Sequence, residues 1–368
     1  GVAAAPSEHA IPVPRGAVLT RARWATVLLG LSALAVVTLA ASLLLGAVPI
    51  APGRLLMILA ELMRHGHGAV DAVGSDAAIV LYLRVPRVLT GFLVGASLGT
   101  VGAVLQALVR NPLADPYILG ISSGAALGAC VAVLFGVSVA GLGLSVLPLC
   151  AFAGALLSIF IVYRIAAAGG GGRLPVQTLL LAGVILNAIF SALIMFATSL
   201  MTPARSFGML AWLMGTLTGP DLIGLLLLTA YVGVGVTVLF RQASALNVLS
   251  LGEEAARTLG VNVDRVKLIL FITAALLTGA VVSVSGIIGF VGMAIPHIVR
   301  LLFGPDHRLL LPASALVGGS LLVIADGIAR TALAPSEFPV GVVTALLGGP
   351  FFVYLLVTRK RGAMQVAA

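Results

Sequence analysis

Charged side chains are scarce in this sequence. Asp, Glu, Lys and Arg make up 9% of its 368 residues and hydrophobic residues make up 60%, whereas an ordinary soluble domain carries about 25% charged residues. This composition excludes a soluble fold. Because lipid offers no water to backbone polar groups, a spanning chain must form helices or a closed barrel. A long apolar run such as residues 24–45 cannot be an alternating barrel strand, so the sequence predicts an all-α membrane protein.

The sequence also lacks the patterns that mark catalytic, nucleotide-binding and metal sites. Its two lysines, Lys267 and Lys360, belong to no G-x-x-x-x-G-K-[ST] phosphate loop. There is no H-E-x-x-H, no G-x-S-x-G and no His and Cys cluster at metal-ligand spacing. The two cysteines, Cys130 and Cys150, lie in or beside apolar segments and are predicted to be packing residues. We therefore expect no catalytic residue, no metal site and no cofactor on this chain.

Ten apolar segments are long enough to be membrane spans. They are residues 24–45, 88–108, 120–135, 147–165, 179–199, 222–240, 266–284, 287–302, 310–328 and 340–357. Hydropathy alone would not divide residues 266–303, so the count depends on the small polar residues inside that stretch. The prediction is a single ten-helix membrane domain over residues 23–368, preceded by a tail over residues 1–22.

The distribution of basic residues predicts the orientation. With the N-terminus inside, fifteen of the 21 Lys and Arg residues fall on the cytoplasmic side and six fall outside, as the positive-inside rule requires. Both termini and the tail are therefore expected in the cytoplasm. The net charge of +9 does not indicate nucleic acid, because the basic residues stand singly or in threes and form no continuous basic face.

A polar segment between the sixth and seventh predicted spans contains an amphipathic stretch. Glu253 and Glu254 lie in its first turn and Arg257 lies in its last, which favours the helix dipole, and Gly260 is a typical helix stop. One interpretation is a solvated helix at the membrane surface. The other is a coupling helix that sits in a groove of a partner ATPase and moves with it.

Two prolines interrupt the chain directly after the second predicted span. The segment Asn111, Pro112 and Leu113 lies between Arg110 and Pro116, and two prolines prevent a simple helical hairpin. Irregular backbone near the membrane is tolerated where it lines a cavity or is buried in protein. The segment is therefore either a stiff turn or a gate that closes the transport pathway on the inside.

Three arginines lie at the predicted outer ends of spans, although most basic residues are predicted on the cytoplasmic side. Arg84, Arg87 and Arg330 either extend to lipid headgroups or receive carboxylates of a soluble partner in charge-assisted pairs. Asp326 lies four residues before Arg330, a spacing that predicts a structural ion pair on one helix.

Several segments, in order along the chain, resemble one known family. They are residues 83–89 (LRVPRVL), 106–125 (QALVRNPLADPYILGISSGA), 179–184 (LLLAGV), 212–215 (WLMG), 249–254 (LSLGEE), 289–300 (GFVGMAIPHIVR), 322–330 (LVIADGIAR) and 339–344 (PVGVVT). These segments resemble the FecCD-type permeases, the membrane subunits of type II ATP-binding cassette importers for ferric siderophores, haem and vitamin B12. The matches run from about Arg84 to Leu356.

The resemblance implies a type II importer permease fold in the bacterial inner membrane. It implies a homodimer with the pathway at its interface, two ATP-binding cassette subunits that carry ATP and Mg on the inside, and a periplasmic substrate-binding protein outside. In similar permeases, segments matching Asn111, Pro112 and Leu113 narrow the cytoplasmic exit, and arginines matching Arg84, Arg87 and Arg330 meet glutamates of the binding protein. The residues expected to couple to the ATPase are Leu251, Gly252, Glu253, Glu254, Ala255, Arg257, Leu259 and Gly260.

The mechanism expected from the resemblance is alternating access driven by the partner ATPase. The expected cargo is an iron-containing chelate, with haem preferred, then a ferric siderophore, then cobalamin. Arg205, just outside the fifth span, is a candidate for attracting haem propionates, while His65 and His67 are expected to be ordinary surface histidines. The alternatives are a transporter driven by an ion gradient and an intramembrane enzyme. Both fit less well, because charge inside the spans is sparse and no catalytic pair is visible.

Overall fold

A computed structural model describes residues 19–46, 50–65, 74–136, 146–169, 175–217, 219–333 and 336–366. Throughout these ranges the chain is helical or forms turns between helices. The helices are α1 (Arg21–Leu44), α2 (Pro52–His65), α3 (Ser75–Val109), α4 (Ile121–Phe135), α5 (Val146–Gly169), α6 (Val176–Ser199), α7 (Pro203–Leu213), α8 (Leu222–Arg241), α9 (Ala243–Leu249), α10 (Glu253–Thr258), α11 (Val263–Ser285), α12 (Val291–Phe303), α13 (His307–Thr331) and α14 (Val340–Val366). This confirms the predicted all-α membrane class.

The apolar helices follow the predicted spans. Helices α1, α3, α5, α6, α8, α11 and α13 are long and apolar enough to cross a membrane, and α4, α12 and the Val340–Val353 part of α14 are shorter apolar helices. Each of them overlaps one predicted span. The sequence did not predict α7, nor the extension of α3 back to Ser75 through a π-helical turn over Ile79–Arg84. Residues 1–18 of the predicted N-terminal tail lie outside the described residues.

Helix α3 is the centre of the bundle and packs against α13 and α12 through glycines. A Cβ atom on Gly95 would lie 2.3 Å from the carbonyl oxygen of Gly318 in α13, and one on Gly102 would lie 1.8 Å from that of Gly292 in α12. No side chain fits in either contact. Small residues let membrane helices approach this closely, so these positions require glycine and the helices pack backbone to backbone.

Residues 266–303 divide into α11 and α12 at a left-handed turn. Gly286 has φ +66° and Phe290 has φ +69°. Both values lie in the left-handed region, which is unfavourable for a residue that carries a side chain. Tyr117, from a short 3₁₀ turn over Pro116–Leu119, holds this break: its hydroxyl donates to the Ile288 carbonyl and accepts from the Ile288 backbone N–H at 2.8 Å. The break is therefore fixed by a side chain far away in the sequence.

Helices α1 and α13 run side by side in the same direction and define the two ends of the bundle. Trp24 near the start of α1 donates its indole N–H to the Arg308 carbonyl at 3.0 Å. At the other end, Arg330 reaches the Ser42 hydroxyl at 2.7 Å. The end that carries α9 and α10 is called the α9–α10 end, and the end that carries Arg84, Arg87 and Arg330 is called the arginine end.

Candidate functional sites at the two ends of the bundle

Two glycines with positive φ delimit the helix that the sequence predicted between the sixth and seventh spans. Gly252 has φ +128° before α10 and Gly260 has φ +82° after it, and nothing lies within 4 Å of a Cβ placed on either. These glycines are therefore required by the backbone conformation and not by space. Leu249, Ala256 and Val263 form a small buried cluster that holds α9, α10 and the start of α11 together.

An ion pair fastens α10 to α11. Glu253 Oε1 lies 2.5 Å from Lys267 Nζ, and Arg257 lies 3.9 Å from Glu253 and 3.7 Å from Asp264. The hydrogen bond from Lys267 lowers the pKa of Glu253 below its ordinary value of 4.5. The stabilisation by this pair is therefore present above pH 4.5 and is lost as the pH falls through the lowered pKa of Glu253.

Two exposed leucines flank α10. Leu251 is 70% exposed and Leu259 is 64% exposed, although neither belongs to an apolar helix that could cross a membrane. Glu254 lies between them and is also exposed. Exposed apolar side chains next to a charged rim are typical of a contact surface for another protein. We call Leu251, Glu254 and Leu259 the α10 outer surface.

The two glutamates of α10 are predicted to respond differently to charge reversal. Glu254→Lys leaves the Glu253–Lys267 pair intact and should weaken binding of a partner ATPase by up to about fivefold, the size of one exposed charge pair. Glu253→Lys should also loosen α10, because Lys267 is buried and would face a second cation. Titrating purified permease with ATPase measures the first effect, and limited proteolysis near residue 253 measures the second. Unchanged ATPase affinity with Glu254→Lys would contradict the prediction that α10 is a coupling helix.

The segment after α3 is a rigid irregular turn. Arg110 adopts a left-handed conformation with φ +53°, and the Asn111 side chain accepts a hydrogen bond from the Leu113 N–H at 2.9 Å. Asp115 accepts from the Tyr117 N–H at 2.9 Å, and burial raises the pKa of Asp115 to about 6. The predicted stiff turn is therefore present. A role of Asn111 to Leu113 as a gate stays a prediction.

This turn contacts α9 and shares a cavity with α10. The Arg110 guanidinium donates to the Leu249 carbonyl at 3.3 Å. A cavity of about 400 Å³ lies between them and is lined by Arg110, Gln177, Glu253 and Lys267, among others. Arg110, the residue before the predicted gate, therefore contacts α9, the helix before the predicted coupling segment, at the α9–α10 end.

Asp326 is the centre of the arginine end. Arg87 donates to Asp326 Oδ1 through Nε at 3.0 Å and through Nη2 at 2.9 Å, and Arg330 Nε lies 2.9 Å from Asp326 Oδ2. The predicted Asp326–Arg330 pair is confirmed. Arg87 also donates to Glu337 Oε2 at 2.9 Å, and Glu337 is exposed. Glu337 could not be recognised from the sequence, because it lies in a loop after α13 with no helical spacing to Arg87.

The other two arginines hold the end of α1. Arg84 donates to the Leu43 carbonyl at 2.6 Å, and Arg330 donates to the Leu45 carbonyl at 3.2 Å. Arg84 is 6% exposed and Arg330 is 5% exposed. Both cap the C-terminal carbonyls of α1, a favourable place for positive charge. They also line a groove of about 460 Å³ with Arg87 and Glu337. Docking of a partner to the three arginines stays a prediction, with Arg87 the most accessible of them.

The remaining candidates from the sequence are Arg205 and the two histidines His65 and His67. Arg205, at the start of α7, is exposed and donates to the Leu134 carbonyl at 3.2 Å, near the end of α4. Its suggested attraction for haem propionates stays a prediction. His65 is the last residue of α2, and His67 lies outside the described residues.

Known proteins are similar to this chain in sequence and in fold. The model of the FecCD transport family matches residues 34–358. The chain is 49% identical over 290 residues to "Cobalamin import system permease protein BtuC" of Halobacterium salinarum, covering 78% of this chain and 75% of that protein. It is 41% identical over 290 residues to "Hemin transport system permease protein HmuU" of Yersinia pestis, covering 77% and 84%. A solved structure described as "An inward-facing conformation of a putative metal-chelate type ABC transporter" superposes with a TM-score of 0.74 at 30% identity, covering 91% of this chain and 99% of that one.

Proposed function

Because this chain belongs to the FecCD transport family, we propose that it is the membrane permease subunit of an ATP-binding cassette importer for a large metal chelate. The observation that carries the proposal is the α10 outer surface, an apolar and acidic contact surface on a short helix outside the apolar bundle. The sequence has no phosphate loop of its own. ATP and Mg would therefore bind to a separate subunit that contacts this surface.

The two ends of the bundle are assigned different partners. Two ATPase subunits bind at the α9–α10 end of a homodimer, on the cytoplasmic side of the inner membrane, and a periplasmic substrate-binding protein docks at the arginine end. The charges support this division: the α10 outer surface offers Glu254, while the groove at the other end offers Arg87. A binding protein would then present carboxylates.

The attachment of α10 supports alternating access as the mechanism. A force on α10 reaches α11 through the Glu253–Lys267 pair and reaches the turn after α3 through the contact of Arg110 with α9. The helices of such a bundle move as rigid bodies, because their packed contacts have few intermediate arrangements. ATP binding would thereby shift the spans that line the pathway between the two copies.

The cargo class rests on the relatives. The names of the two relatives mention cobalamin and hemin, and both compounds are metal-bearing tetrapyrrole-type macrocycles. We place cobalamin beside haem as the cargo, with a ferric siderophore after them. This order differs from the preference drawn from the sequence, because identity is higher to the relative named for cobalamin.

The test is transport by the complete complex. The permease, its ATPase and the binding protein are reconstituted in proteoliposomes, and cyanocobalamin, haem and a ferric siderophore are offered one at a time with the binding protein. The expected result is ATP-dependent uptake of one macrocycle. Uptake that follows an ion gradient and ignores ATP would replace the proposal by a secondary transporter.

Glu337 is predicted to compete with a docking partner for Arg87. Glu337→Gln removes an exposed charge from Arg87, and the affinity of the binding protein should rise by up to about fivefold. Arg87→Ala should lower that affinity, and it also leaves Asp326 with one arginine fewer. Surface-immobilised binding protein measures both. An unchanged affinity in both variants would contradict docking at Arg87.

A further inference from the structure

Asn247 joins α9 to the start of α13 through both ends of its amide. Its Nδ2 donates to Asp306 Oδ1 at 2.8 Å. Its Oδ1 accepts from the His307 backbone N–H at 2.8 Å and lies 2.7 Å from His307 Nδ1. Asp306 is the N-cap of α13 and accepts from the Arg308 N–H at 2.9 Å. One side chain on α9 therefore binds the cap of a helix that begins far away in the sequence.

The hydrogen-bond pattern fixes the chemical state of these groups. Because Asn247 Oδ1 can only accept, His307 Nδ1 must carry the proton, and His307 is the Nδ1–H tautomer. Its Nε2 is buried without a hydrogen-bond partner among the described residues, as in a neutral ring. Hydrogen bonds from Arg308 lower the pKa of Asp306 to about 2, so Asp306 is an ionised acceptor at neutral pH. Every donor and acceptor in this contact has one defined role.

Helix α13 connects this contact to the arginine end. It spans His307–Thr331, about 37 Å at 1.5 Å per residue. Its far end carries Asp326 and Arg330, which hold Arg87 and the end of α1. Between the two ends, Gly318 packs against the backbone of α3. The helix is continuous through Pro312 and carries one group of polar contacts at each end.

We propose that Asn247 is the positioning residue that transmits movement of α9 and α10 to α13, and through α13 to the docking surface at the arginine end. The proposal rests on the proposed importer function. Nothing else in the contact offers both a donor to Asp306 and an acceptor to His307, so removing the Asn247 amide removes this polar connection while the apolar packing keeps both helices folded. Nucleotide at one end and the binding protein at the other would then lose their effect on each other, since such coupling is reciprocal.

The test uses Asn247→Ala in the reconstituted complex, with Ser244→Ala as the control. Ser244 lies on the same helix and is exposed. The affinity for the binding protein is measured with and without a non-hydrolysable ATP analogue. We expect the nucleotide effect in Asn247→Ala to shrink by about tenfold, within the range known for residues that carry coupling. Basal ATP hydrolysis and ATPase co-purification should stay at the wild-type level, and Ser244→Ala should behave as wild type.

A second experiment, a charge exchange, swaps the amide and the carboxylate between residues 247 and 306 and tests whether coupling is rescued. Asn247→Asp places two carboxylates against each other at the 2.8 Å contact and should uncouple the complex as Asn247→Ala does. Adding Asp306→Asn restores an amide donor facing a carboxylate, while His307 still donates to residue 247. The double variant should therefore regain most of the nucleotide effect, which a general loss of stability would not allow.

The outcomes are separable. If the wild-type complex neither hydrolyses ATP nor imports a macrocycle, the proposed function fails. If the wild type transports and Asn247→Ala keeps the full nucleotide effect, the inference about Asn247 fails alone. If Asn247→Ala does not assemble, the charge exchange decides: a double variant no better coupled than Asn247→Asp overturns the proposal.

Discussion

A permease that carries Leu251→Asp and Leu259→Asp should lose its ATPase subunits during purification and import nothing. Leu251 and Leu259 are 70% and 64% exposed at the two ends of α10. Burying one leucine contributes about 1.5–3 kcal/mol, so losing both lowers the affinity by roughly 10²- to 10⁴-fold. The measurement is the amount of ATPase retained by affinity-purified permease, followed by uptake in proteoliposomes.

The control for this double variant lies at the other end of the bundle. Leu56 on α2 is also well exposed, and Leu56→Asp should leave ATPase retention unchanged. Gel filtration of each permease without ATPase shows whether it is monodisperse. The assignment of the α10 outer surface is wrong if the Leu251 and Leu259 variant is monodisperse and still retains its ATPase.

Replacing Gly102 by alanine should prevent the bundle from assembling. The added Cβ would lie 1.8 Å from the Gly292 carbonyl oxygen and 2.7 Å from the Gly292 Cα. These are backbone atoms that cannot rotate away, so α3 and α12 must separate. Overpacking against movable side chains already costs about 1–3 kcal/mol, and we expect a larger loss here. The variant should be recovered, if at all, as aggregate, with a strongly lowered midpoint of thermal unfolding.

Gly30→Ala in α1 is the matched control for Gly102→Ala. Nothing lies within 4 Å of a Cβ at Gly30, and alanine favours a helix over glycine. The midpoint of thermal unfolding should therefore stay the same or rise slightly. Equal loss in both variants would show that glycine is needed for some reason other than close packing.

The sequence predicted the spans well because hydropathy is a local property. Hydropathy alone did not divide residues 266–303, but the small polar residues there predicted a break between residues 284 and 287, and Gly286 lies in it. The contact of Tyr117 with Ile288, across 171 residues, was not predictable. Helix α7 was also missed. Its 11 residues are too short for a span, and the only helix signals are Thr202 at its N-cap and Pro203 at its first position.

The sequence predicted the local features of the candidate sites. It missed the contacts that join distant segments, as it did for the spans. The charges of Glu253, Glu254 and Arg257 together with Gly260 predicted α10 correctly, because helix signals act within one or two turns. The sequence could not show that Glu253 faces inward to Lys267 while Glu254 faces outward. Likewise, Arg84 and Arg330 stood out as charges at span ends, but their burial against α1 depends on packing between distant segments.

The cap on α1 bears on how the protein is made. Arg330 donates to the Leu45 carbonyl across 285 residues of chain. At about 5–20 residues per second of synthesis, the ribosome needs roughly 15 to 60 s to reach Arg330 after Leu45 has emerged. Until then α1 lacks its second cap and is held at this end by Arg84, which donates to the Leu43 carbonyl. We expect chains stopped before Arg330 to present an early target for membrane quality-control proteases.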